Sequence, residues 1–224
     1  MSDNEEYVKQ LEAAIGQMLK PLKNIPFGLV IKSMTGFEVI QFDRDKVEDK
    51  NLLQKISQAA EITGREIAGM GGIKRPRPNE VGNDLEPFME KALKSIGYAD
   101  TGTPKGKSGK GKAVGYPDRE FTDNGRAVYL ELKSYAKESL NSTMRSFYLS
   151  PSDDFKVNKD AFHLLIAFEI VREGNAFFVS GWKIITVDKL LVDVKYEFNS
   201  DNKRLYASHA VLVEEKFNYK EFVE

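Results

Sequence analysis

The stretch YPDREFTDNGRAVYLELKSY, residues 116–135, decides how this chain is read. Two runs, YPDREF (116–121) and RAVYLELKSY (126–135), flank Asp123-Asn124-Gly125. Asn-Gly takes the positive φ angles that a two-residue hairpin turn demands, and the flanking runs are rich in side chains that suit a pleated surface. The stretch therefore predicts an antiparallel hairpin. On a strand, residues two apart share a face. Glu131 and Lys133 then project together while Leu130 and Leu132 point into a core, and Asp118 on the partner strand reaches the same end of the sheet.

Two carboxylates and an ammonium thus converge. Neighbouring carboxylates repel, and burying them beside a lysine is costly unless a cation is shared among them. Mg²⁺ suits that role, held by Asp118, Glu131, a main-chain carbonyl such as that of Leu132, and waters, with Mn²⁺ as a substitute. Lys133 carries no acceptor, so it is expected to orient or help deprotonate a water and to offset charge on phosphorus. The chemistry this implies is phosphodiester hydrolysis.

Composition narrows the alternatives. The chain has 224 residues, no cysteine and only His163 and His209, which excludes thiolate zinc sites, cysteine nucleophiles and histidine-rich metal centres. No run approaches a membrane span, and the acidic start MSDNEE is unlike a signal peptide, so a soluble cytoplasmic protein is expected, without membrane association. Net charge is −1, yet residues 71–112 hold nine basic against five acidic side chains just before the hairpin. A local excess of that kind suits phosphate contacts.

Working outward, residues 4–20 and 51–68 show helical periodicity, and FGLVIKS (27–33) with GFEVIQF (36–42) reads as a second hairpin. Residues 69–83 are a breaker-rich connection, and Asp84 caps a helix running to about Ile96, stopped by Gly97. The segment 100–115, with five glycines and four lysines, is expected to be an unpacked mobile loop. Residues 160–173 read as helix turning to strand, 176–187 as a strand, and 191–198 and 204–213 as further β-rich runs. The expected fold is α/β: one domain over residues 1–224, with an elaboration at 1–80 and a catalytic core at 81–224 built on a mixed central sheet flanked by helices.

Pro117-Asp118 and Glu131-Leu132-Lys133 on a hairpin resemble the two-part signature of the PD-(D/E)xK nuclease superfamily, and among its members the type II restriction endonucleases. RSFYLSPSDDFKVNKDAFHLLIAFEIV (145–171) also looks like the segment after the catalytic strand in several of these enzymes. The resemblance implies a restriction-endonuclease-like core and Mg²⁺-dependent, site-specific cleavage of double-stranded DNA by a homodimer. It also implies another acid on the helix before the hairpin: Glu86 matches that place, and Glu90, one turn on, competes with it.

DNA contacts are expected from Lys105, Lys107, Lys110 and Lys112 in the glycine-rich loop, from Lys74, Arg75 and Arg77 around two prolines, and from Arg145 and Ser146 after the catalytic strand. Gly106-Lys107-Ser108 ends like a nucleotide-binding loop, but Thr101 stands where its first glycine belongs and no apolar strand leads in, so no nucleotide cofactor is expected. His163, in an apolar run, reads as a core histidine, and Trp182 as core. The rival readings are a repair or junction-resolving nuclease of the same superfamily, and a non-catalytic nucleic-acid-binding protein whose carboxylates are structural. Divalent-metal binding at Asp118 and Glu131 separates a nuclease from the latter.

Overall fold

The structure is a computed structural model that describes residues 3–20, 22–111, 115–139, 147–195 and 201–205. Residues 1–23 with 193–224 form one compact unit and Asn24–Val192 another. The first holds α1 (Asp3–Met18), where the periodicity places it, and ties Val194 to Leu22 by a main-chain hydrogen bond of 2.8 Å. The second runs through β1 (Ile25–Pro26), α2 (Phe27–Thr35), β2 (Val39–Ile40), α3 (Val47–Gly69), α4 (Val81–Ser95), β3 (Arg119–Asp123), β4 (Arg126–Ala136), β5 (Ala161–Glu173), β6 (Ala176–Thr186) and β7 (Leu191–Val192). α5 (Asn202–Leu205) returns to the first unit.

β3 and β4 form the expected hairpin, with Asn124 and Gly125 at φ 49° and 77° in its turn. β4 then pairs in parallel with β5, from Val128↔Phe162 to Ala136↔Ile170. The other edge of β5 takes β2 in parallel at its first residues and β6 antiparallel beyond them. The sheet is therefore mixed, with β5 central.

Helices cover both of its faces. Val128, Leu130 and Leu132 of β4 and Phe162, Leu164, Ile166 and Phe168 of β5 pack with Leu52 and Ile56 of α3 and Leu85 and Met89 of α4. Tyr129, Leu165 and Ala167 lie in a second cluster with Phe27 and Ile31 of α2, and with Tyr116 and Val157. This α/β architecture is compatible with the restriction-endonuclease-like fold.

Several local expectations are corrected. Residues 27–35 form a helix and not a strand: Phe27 and Ile31, four apart, are buried on one side, and Gly36 at φ 81° caps the end through its N–H to the Lys32 carbonyl. Only Val39–Ile40 of the following run is strand. Residues 161–173 are strand throughout, because β5 is buried on both faces and so shows a continuous apolar run without alternation. α4 begins at Val81, three residues before Asp84, whose carboxylate binds Arg75 instead of capping the helix. Of the β-rich runs near the end, Leu191–Val192 is strand and Asn202–Leu205 a helical turn, while 196–200 and 206–224 lie outside the described residues.

The glycine-rich loop also departs from the unpacked segment expected. Lys105 and Gly111 bridge across a tight turn closed by Gly106 N–H to the Lys110 carbonyl at 3.1 Å. This turn docks on residues 154–155: Lys107 N–H donates to the Phe155 carbonyl at 2.9 Å, and Ser108 N–H to Asp154 Oδ1 at 2.8 Å. Gly106 permits the approach, since a Cβ there would stand 2.5 Å from the Asp154 carboxylate oxygens. Main-chain donors supply the packing that the side chains lack.

Candidate active site

Asp118 lies just before β3, where the hairpin's ladder has ended at the Arg119↔Leu130 pair. The next inward-facing donor of β4, the Leu132 N–H, has no strand partner there and donates to Asp118 Oδ2 at 2.8 Å. This bond sets the Asp118 carboxylate beside Glu131 and Lys133. The period-2 rule places those two side chains on the face opposite Leu130 and Leu132, as expected, and Lys133 Nζ donates to Glu131 Oε1 at 2.5 Å.

Glu131 is only 5% exposed, and its Oε2 is buried without a hydrogen-bond partner among the described residues. Burial raises its pKa most, repulsion from Asp118 adds to that, and Lys133 offsets part, leaving it pushed up to about 7. Burial pulls on Lys133 in the other direction, yet Glu131 and Asp118 outweigh it and hold its ammonium above the usual lysine range. Lys133 also sits 5.9 Å from the centre of the Tyr148 ring.

α4 presents both acids considered for the third position. Arg119 joins them: its Nη1 lies 2.9 Å from Glu86 Oε2 and its Nε 3.0 Å from Glu90 Oε2, while Nη1 also donates to the Asp118 carbonyl at 2.8 Å. The pKa of Glu86 is raised, by burial first and by Asp118 second, with Arg119 opposing. Glu86 therefore feels the field of Asp118.

Sequence reasoning passed over three residues here. Arg119 is 7% exposed and links α4 to the hairpin. Lys156 is 2% exposed, and its Nζ donates to the carbonyls of Gly115 at 2.6 Å and Pro117 at 3.0 Å. Tyr116, between those carbonyls, shares a 2.7 Å hydrogen bond with His163 Nδ1. Burial pushes the His163 pKa down to about 3, which keeps the ring neutral and agrees with a core histidine. Adjacency to Asp118 was the available signal for Arg119. Lys156 lies far along the chain from the carbonyls it holds, and no local pattern marks it.

The residues expected to meet DNA are placed unevenly. Lys105, Lys107 and Lys110 are exposed on the docked turn, Lys107 with its Nζ 5.5 Å from the Phe155 ring centre. Lys74 and Arg77 are exposed too. Arg75 is engaged within the chain, its guanidinium gripping Asp84 through two bonds of 2.6 and 2.7 Å. Lys112, Arg145 and Ser146 lie outside the described residues.

A mixed sheet flanked by helices, with two acids and a lysine brought together at a hairpin edge, is compatible with the class of restriction-endonuclease-like proteins. The model of the type II restriction enzyme MjaV family matches residues 21–209. The type II restriction enzyme MjaV of Methanocaldococcus jannaschii is 37% identical over 227 residues, an alignment covering 95% of this chain and 98% of that protein. The chain belongs to the MjaV family of type II restriction enzymes, which are site-specific DNA endonucleases. Among the described residues, no helix is long and apolar enough to cross a membrane.

Proposed function

We propose that this endonuclease hydrolyses double-stranded DNA in a Mg²⁺-dependent reaction at Asp118, Glu131 and Lys133, with Mn²⁺ able to replace Mg²⁺. The observation that carries the reading is Glu131 Oε2, a carboxylate oxygen buried without a partner beside a second carboxylate that raises its pKa. Lys133 engages only Oε1, so Oε2 stays open to a second cation that would relieve the repulsion from Asp118. No set of three or more His, Cys, Asp or Glu side chains forms a metal cage among the described residues. Mg²⁺ needs none, because it keeps several waters and binds through one or two carboxylates.

Asp118 and Glu131 would hold the ion in this reading, and the Leu132 carbonyl would supply the main-chain ligand. When bound, Mg²⁺ polarises a phosphate oxygen and makes a water more acidic. Lys133 orients the attacking water and offsets charge gathering on the phosphate oxygens. Glu86 and Glu90 both pair with Arg119, and Glu86 is taken as the third acid because it lies in the field of Asp118, with Glu90 as its competitor. Lys105, Lys107, Lys110 and Lys112, with Lys74, Arg75, Arg77, Arg145 and Ser146, contact DNA, and two copies about a two-fold axis cut the two strands.

Incubating the protein with phage-sized DNA and Mg²⁺, followed by electrophoresis, tests this reading. Discrete fragments that vanish on chelation are expected. Fragments that persist at full yield in excess chelator would refute the metal dependence, and undigested DNA at all Mg²⁺ and Mn²⁺ concentrations would refute the cleavage itself.

A further inference from the structure

A buried ammonium is costly, and hydrogen bonds or nearby negative charge must offset that cost. Lys156 has both kinds of support. It lies in the connection that carries the chain from β4 to β5, beside Val157, which packs with Tyr129 and Tyr116 under the same sheet face that bears Glu131. Its Nζ binds the carbonyls on either side of Tyr116, and the residue after Pro117 is Asp118. Burial lowers its pKa, while the fields of Asp118, Glu131 and Glu86 all favour its charge.

The segment it holds is gripped from a second side. The Tyr116 hydroxyl meets His163, and the Tyr116 ring packs edge-on against Phe27 at 5.7 Å. Gly115–Pro117 is therefore tied by its side chain to β5 and α2 and by its carbonyls to Lys156. What lies at the end of this tethered segment is the carboxylate that accepts the Leu132 N–H.

We propose that Lys156 is a positioning residue for DNA cleavage: by binding the Gly115 and Pro117 carbonyls, its ammonium holds Asp118 at the Leu132 N–H, beside Glu131. The inference rests on the reading of Asp118 and Glu131 as the metal-holding pair. An uncharged side chain of the same length fills the space but leaves both carbonyls without a donor. Asp118 then loses its fixed place before any metal arrives.

The absence of cysteine allows a direct test. Lys156→Cys introduces a single thiol, which is alkylated in denaturant before refolding. With 2-bromoethylamine, the thiolate displaces bromide to form a thioether, which restores a lysine-length side chain with its ammonium. With 1-bromopropane, the same displacement gives an uncharged chain of equal length. Wild-type protein carried through each treatment is the control.

The aminoethyl form is expected to regain kcat to within about threefold of its control, and the propyl form to fold but lose on the order of 10²-fold, the usual penalty for a displaced catalytic group. In metal-free protein, the Leu132 amide should exchange with solvent roughly tenfold faster in the propyl form alone, since the hydrogen bond protecting it has loosened. Equal kcat in the two forms, or an unchanged Leu132 amide in the propyl form, would overturn the proposal. So would failure of both the propyl form and Lys156→Met to fold while the aminoethyl form folds, because the lysine then serves folding. Full cleavage by Asp118→Ala would overturn the metal-site reading instead, which keeps the two failures distinct.

Discussion

The carboxylate of Asp118 accepts the main-chain N–H of Leu132 at 2.8 Å, across the point where the β3–β4 ladder stops. A side chain there replaces the missing strand. It also sets the spacing of the site, because Leu132 separates Glu131 from Lys133 and its N–H aims at the edge where Asp118 arrives.

Lys133 separates turnover from metal binding. An ammonium does not ligate Mg²⁺, so Lys133→Ala should still bind the ion while cleavage falls by about 10²–10³-fold, the range seen on removing one transition-state donor. Lys133→Arg should restore activity only partly, since a planar fork does not reproduce a compact charge 2.5 Å from Glu131 Oε1. Calorimetric Mg²⁺ titration beside single-turnover cleavage checks this. Loss of metal binding in the alanine variant would make the lysine a structural partner of Glu131.

His163 gives the fold a defined pH dependence. Its folded pKa of about 3 lies below the ordinary 6.5, so below pH 6.5 the unfolded chain takes up a proton that the folded chain refuses until about pH 3. The stabilising contribution is complete above pH 6.5 and declines as pH falls through that window, by at most about 1.4 kcal/mol per unit. Urea unfolding at several pH values should show a shallower decline for His163→Gln than for wild type. Equal slopes would mean that His163 does not carry this dependence.

The hairpin and its acid-acid-lysine cluster were legible because their signals are local. Asn124-Gly125 marks the turn, and a period of two puts Glu131 and Lys133 on one face. The periodic helices α1 and α3 and the strand β6 were legible too, whereas two elements were misread where tertiary packing overrides local pattern. β5 shows no alternation because both its faces are covered, and α2 is a β-rich sequence drawn into a helix that buries Phe27 and Ile31 together. Lys156 was hidden for another reason: its bonds span 41 and 39 residues, and nothing near it in sequence records them.

Gly106 underlies the docking of the lysine turn. Gly106→Ala forces a methyl group onto the Asp154 carboxylate, with a cost of about 1–3 kcal/mol taken either from global stability or by release of the turn. Thermal unfolding, together with exchange of the Ser108 amide that binds Asp154, distinguishes the two routes. A variant with unchanged stability and an unchanged Ser108 amide would contradict this packing.

The exposed lysines on that turn should govern salt dependence more than sequence preference. Each phosphate neutralised on duplex DNA contributes about 0.9 to the slope of log affinity against log salt, so changing Lys105, Lys107 and Lys110 to serine should flatten it by up to about 3 per subunit. Preference for cognate over scrambled duplex should hardly change, because phosphate contacts do not read bases. Affinities over a salt series on both duplexes provide the measurement. An unchanged slope would remove the turn from the DNA interface.

Measuring Mg²⁺ binding and DNA cleavage on the same preparations of wild type, Asp118→Ala and Glu131→Ala decides whether Asp118 and Glu131 together hold the catalytic metal. Each substitution removes one of two carboxylates from a site worth several kcal/mol of transition-state stabilisation. Both variants should therefore lose metal binding and at least about 10³-fold in cleavage rate while remaining folded. Wild-type Mg²⁺ affinity and cleavage in either folded variant would remove that carboxylate from the metal site.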